Sequence, residues 1–167
     1  GLARLGVGRG DRVAFWLPNV PAYMALVFAC ARLGAVAVAV NTRFRAHEVG
    51  DIVGRSGAKL LVLAPGFHQI PFLEILAEVD PATLARIETV LLYGTGEGPL
   101  PALPLAKIRR VAYVDLVQTA PIEGEGPGGR DDAMAIFTTS GTTRAPKLVL
   151  HNQSSLHDHA LRVAPGF

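Results

Sequence analysis

Cysteine is nearly absent from this chain of 167 residues, where Cys30 stands alone. No internal disulfide is possible, and the cysteine usage lends no support to secretion. Cys30 lies in an apolar run and is expected to be a buried structural thiol. Charge is scarce as well: Asp, Glu, Lys and Arg make up 18% of the residues, and the net charge is +2. The basic residues are scattered, with Arg109 and Arg110 the only adjacent pair. With no basic stripe or helix face, the composition argues against a nucleic-acid partner. A clean membrane span is also missing. Pro21 to Val40 is long enough to cross a bilayer, but Arg32 lies mid-segment and would cost about 2.5–3.5 kcal/mol there. Gly34 interrupts the helical pattern, and the alternating Ala and Val after it favour a strand. A helix followed by a buried strand is expected instead. The chain opens on Gly1 with neither a leading Met nor a signal peptide, and it stops just after an expected helix at 156–163. Both ends are therefore expected to be cuts through a longer protein.

What is present is apolar and evenly spaced. Half of the residues are hydrophobic, which suits a globular domain that buries roughly 70% of its unfolded surface. Short β-branched runs predict strands at 12–17, 36–40, 59–63, 89–92, 111–117, 133–138 and 147–150. Helices are predicted at 21–33 and 46–55, and at 72–87 with a break at Asp80-Pro81. Pro21 in a first turn and Gly34 just past a last turn mark the first of these. Strands alternating with helices at this spacing imply an α/β fold with a largely parallel sheet and covering helices. Residues 94–104 read as a loop, and 123–130 as a mobile, glycine-rich linker. The division expected is an α/β subdomain over 1–122, the linker 123–130, and the start of a next subdomain over 131–167.

The densest chemical signal runs from Thr138 to Lys147. Thr138, Thr139, Ser140, Thr142 and Thr143 supply hydroxyls, Gly141 allows close backbone approach, and Lys147 supplies a cation. Only three lysines occur in the whole chain. A solvated Ser/Thr turn is one reading, and a phosphate cradle set between two strands is the other. The spacing is not that of a Walker A loop, because Pro146 and Leu148 occupy its second Gly and its Ser/Thr positions. A strand, not a helix, follows the Lys, which disfavours a phosphotransferase.

The stretch TSGTTRAPKLVLH, Thr139 to His151, resembles the signature loop of the adenylate-forming (AMP-binding) superfamily, which includes acyl-CoA synthetases, luciferases and peptide-synthetase adenylation domains. Thr139, Ser140, Gly141, Thr142, Thr143, Pro146, Lys147, Val149 and His151 match its pattern. Arg144 and Leu148 replace two family glycines. Upstream, Gly10 to Asn41 is similar to the family's first conserved stretch, and Glu48, Asp51, Ile52 and Ser56 to Lys59 also look like it. The resemblance implies that the chain is an internal piece of the large N-terminal region of an acid-activating ligase, inactive alone. That enzyme would use ATP, Mg²⁺ and coenzyme A on a small-molecule carboxylic acid in the cytoplasm.

By the same resemblance, Thr139, Ser140, Gly141, Thr142, Thr143 and Arg144 would bind the phosphates, with Thr139 also contacting Mg²⁺. Lys147 would act catalytically by neutralising the departing pyrophosphate. Arg144 either adds a phosphate contact or occupies a strained glycine position. His151 carries no catalytic role. His157, Asp158 and His159 point in different directions on a helix, and Glu48 with Asp51 reads as a solvated face. A non-catalytic α/β module built on the same scaffold is the alternative.

Overall fold

The computed structural model describes residues 1–67, 69–96, 98–105, 107–139 and 146–164. Seven strands form one sheet. They are β1 (Arg12–Trp16), β2 (Val36–Ala39), β3 (Leu60–Leu63), β4 (Thr89–Leu92), β5 (Arg109–Ala112), β6 (Ala133–Thr139) and β7 (Lys147–Asn152). The helices are α1 (Pro21–Leu33), α2 (Ala46–Ser56), α3 (Phe72–Glu78), α4 (Tyr113–Val117) and α5 (Gln153–Val163). The strand order is β5-β4-β3-β1-β2-β6-β7. Every neighbouring pair is parallel except β6–β7. The α/β class and largely parallel sheet expected from the sequence are therefore observed.

Two glycines end the covering helices. Gly34 and Gly57 adopt left-handed φ of 67° and 66° just past α1 and α2, a conformation that side chains with a Cβ rarely take. Parallel crossovers are right-handed. The chain steps one way from β1 to β2 and the other way from β2 to β3 and from β3 to β4. The rule therefore sets α1 on one face and α2 with α3 on the other. The aromatic contacts agree: Phe15 packs edge-on against Tyr23 of α1, while its neighbour Trp16 packs edge-on against Phe72 of α3. Successive strand residues thus feed opposite layers.

The core follows from this layering. All of β3 and β4 is buried, as is β1 apart from Arg12, which is the pattern of strands covered on both faces. Cys30 is fully buried as expected, and burial pushes its thiol pKa up to about 12. No helix among the described residues is long and apolar enough to cross a membrane. The run from Pro21 to Val40 is α1 plus β2.

Three sequence expectations need adjustment. The strand expected at 111–117 is instead β5 at Arg109–Ala112 followed by the short helix α4. In that segment Ala112 and Leu116 are buried while Val114 and Val117 are exposed, a helical rather than an alternating spacing. The helix expected at 156–163 begins three residues earlier, because Asn152 caps it: its side chain accepts from Ser155 N–H at 2.9 Å. Glu48 is more than a solvated residue, since its carboxylate accepts from the Arg45 N–H at the start of α2.

Candidate functional site

Strands β6 and β7 form an antiparallel hairpin that brings the two ends of the Ser/Thr-rich loop together. Thr139 and Lys147 are directly opposed as the last ladder pair. Antiparallel pairing puts Phe137, Thr139, Lys147, Val149 and His151 on one face of the hairpin. Thr139 and Lys147 are exposed. His151 packs edge-on against Phe137 at 5.6 Å, which accounts for it as a packing residue. Ser140, Gly141, Thr142, Thr143 and Arg144 lie outside the described residues. Of the residues expected to bind phosphate, the structure therefore juxtaposes Thr139 with Lys147.

The hairpin grows from the productive edge of the sheet. β6 runs parallel to β2, so Thr139 and the loop after it leave from the end where the other parallel strands also finish. A cavity of about 880 Å³ opens at that edge. Its wall comes from Leu17, Pro18 and Asn19 after β1, Ala39 to Arg43 and Arg45 after β2, and Phe67, Gln69 and Ile70 after β3; Phe137 and Thr138 of β6 close it. β1 and β3 are adjacent, yet their connections leave in opposite directions. That is the topological switch point at which open α/β sheets bind ligands.

The lining has a sign. Arg43 and Arg45 face the cavity, and no Asp or Glu is among the described lining residues. Such a wall favours an anion. The Asn41 side chain accepts from Arg43 N–H at 2.9 Å and so fixes the turn carrying that arginine. Burial pushes the Tyr23 hydroxyl above its usual range, so it stays protonated and able to donate at neutral pH. Tyr23, Asn41, Arg43 and Arg45 were not singled out from the sequence. They come from separate segments, and only the strand order gathers them. The available signal was the general one, that residues just after parallel strands line the ligand edge.

Other candidates separate in space or in chemistry. His157 and Asp158 interact at 3.3 Å, and Arg130 approaches Asp158 at 3.6 Å. No group of three or more His, Cys, Asp or Glu able to hold a metal occurs among the described residues.

Comparison with known proteins gives a consistent answer. A model for the family described as AMP-binding enzyme matches residues 1–165. The chain is 37% identical over 160 residues to a long-chain-fatty-acid–CoA ligase, FadD13, of Mycobacterium tuberculosis, covering 95% of this chain and 28% of that protein. It is 31% identical over 168 residues to an acetyl-coenzyme A synthetase of Rhodopirellula baltica, covering 97% of this chain and 24% of the relative. A solved Mycobacterium tuberculosis fatty acyl CoA synthetase superposes with a TM-score of 0.69 at 28% identity, covering 98% of this chain and 28% of that one. The chain thus spans about a quarter of the length of the proteins it resembles.

Proposed function

Since the chain belongs to the AMP-binding enzyme family, we propose that it forms the early part of the large N-terminal region of an ATP-dependent acid–thiol ligase. In this reading a carboxylate oxygen attacks the α-phosphorus of ATP, and the bond to the β-phosphate oxygen breaks. Acyl-adenylate and pyrophosphate result. A thiol, coenzyme A, then attacks the acyl carbon and releases AMP. A cytoplasmic setting goes with these substrates. Residues 131–167 begin the next subdomain of the complete enzyme, joined to 1–122 through the segment 123–130.

The observation that carries the proposal is the juxtaposition of Thr139 and Lys147 on the hairpin whose Phe137 and Thr138 close a cavity bearing Arg43 and Arg45, with no Asp or Glu among its described lining residues. Thr139, Ser140, Gly141, Thr142, Thr143 and Arg144 hold the β- and γ-phosphates. Lys147 neutralises charge as it builds on the leaving pyrophosphate oxygen. A cation or donor fixed in advance at such a point acts on the transition state more than on bound ATP. Mg²⁺ fits as an ion that arrives with its nucleotide: Thr139 offers a neutral oxygen, and phosphates supply most ligands at such sites.

The test is ATP–pyrophosphate exchange dependent on an added carboxylic acid, run over a panel of chain lengths. The complete protein should exchange label. Residues 1–167 alone should not, because roughly three quarters of the relatives' length lies outside them. No exchange from the complete protein with any acid would favour a non-catalytic module, and exchange by residues 1–167 alone would contradict the division of labour.

A further inference from the structure

The exit of the Ser/Thr-rich loop is tied to a helix that the proposed mechanism does not use. Arg55, in the last turn of α2, donates through Nε to Asp51 Oδ1 at 2.8 Å and through Nη2 to Asp51 Oδ2 at 2.7 Å. The same Nη2 donates to the carbonyl oxygen of Pro146 at 2.6 Å. Residues 55 and 146 are 91 positions apart in the chain. We propose that Arg55, braced by Asp51, is a positioning residue for Lys147; this rests on the function proposed above.

The physical argument concerns one peptide plane. Pro146 has no N–H, so its carbonyl is the only backbone hydrogen-bonding group it offers. The Pro146–Lys147 peptide is planar. A bond that fixes the carbonyl direction therefore also fixes the Lys147 N–H and the entry of its Cα into β7. That entry is weakly held otherwise, because among the described residues β7 is the end strand of the sheet and its only ladder is to β6. Thr139 restrains Lys147 from one side through the ladder, and Arg55 restrains its preceding carbonyl from α2. A guanidinium suits the task because three bonds leave one rigid planar fork, two to the carboxylate and one to the carbonyl. The carboxylate beside it balances the charge, so Arg55 acts through geometry and not as a second phosphate cation. At Lys147, where the ammonium must meet a developing charge, a small misplacement is expensive in rate.

Two measurements test this. The first is amide hydrogen exchange on the complete protein, with no ligand. Arg55→Ala should speed exchange at residues 147–150 roughly ten-fold, with 60–63 unchanged. Unchanged exchange at 147–150 overturns the tether. The second is kinetics on the complete enzyme. Arg55→Ala should slow pyrophosphate formation roughly ten-fold and leave the thiol-dependent half-reaction nearly intact. The double variant Arg55→Ala/Lys147→Ala should be no slower than Lys147→Ala alone. Arg55→Lys keeps the charge but loses the fork, and should resemble Arg55→Ala. Additive losses, equal loss in both half-reactions or full activity of Arg55→Lys each overturn the positioning role. If the unsubstituted enzyme forms no pyrophosphate, the function proposed above fails, and the exchange measurement still judges the tether.

Discussion

Two regions of this molecule share one sheet and are held by different forces. In β1, β3 and β4 every residue except Arg12 is buried. In β7 and α5 no residue is buried, and Leu150 and Leu161 are exposed to 59% and 61%. The first region is stabilised by apolar burial on both faces, worth roughly 25 cal/mol per Å². The second is fastened by polar contacts that converge on the end of α1. Gly128 N–H donates to Arg32 O at 2.9 Å, and Gln153 Nε2 donates to Ala31 O at 2.8 Å. Asp132 accepts from Arg9 and from Gly129 N–H, and both sets of bonds hold its carboxyl below the usual carboxylate range. The proposed chemistry thus falls in the region with less burial of its own, carried at the edge of a rigid support. Stability is lowest where binding and movement are needed.

The largest expected effect comes from damage to the support. Leu61 is fully buried at the centre of β3, between β1 and β4. Leu61→Ala should cost about 2–5 kcal/mol through lost burial and the cavity it leaves. Both regions should lose protection together in hydrogen exchange, since the second has no core of its own. Survival of protection in β6 and β7 at a denaturant concentration that unfolds β3 would break the comparison.

A smaller and more selective effect should follow from the fastening. A Cβ on Gly128 would meet the Ala31 carbonyl oxygen at 2.0 Å and the Gly34 nitrogen at 2.8 Å, both backbone atoms that cannot swing aside. Gly128→Ala should cost roughly 1–3 kcal/mol by overpacking. The loss should appear in the amides of 133–139 and 147–152, with β3 and β4 keeping their protection. Uniform loss across all strands would show that the regions are not separable.

The same contrast explains what could be read from the sequence. Strands buried on both faces appear as unbroken apolar runs, so β1 to β4 were legible almost to the residue, and Pro21, Gly34 and Gly57 punctuated the helices. At the edges that signal weakens. Residues 111–117 mix β-branched and aromatic types that fit a strand, and only their three-dimensional burial reveals the turn into α4 at Tyr113. α5 could not be started correctly because the Asn152 cap competes with a strand assignment. Thr139 and Lys147 were legible as a pair through a motif, and the hairpin supplies the reason that they meet. The cavity was not legible. Asn41, Arg43 and Phe67 are ordinary loop residues until the order β3-β1-β2 brings their loops to one edge. The tether from Arg55 to Pro146 was hidden likewise, because no local pattern links positions so far apart.

The central claim is that Lys147 acts on pyrophosphate as it departs. The direct measurement is single-turnover kinetics of both half-reactions in the complete enzyme carrying Lys147→Ala. A charge-assisted contact worth about 1.5–3 kcal/mol corresponds to a loss of roughly ten- to a hundred-fold. The account predicts that this loss falls on acyl-adenylate formation, with a much smaller change when the thiol attacks preformed adenylate. An equal loss in both half-reactions, or none in the first, would contradict it.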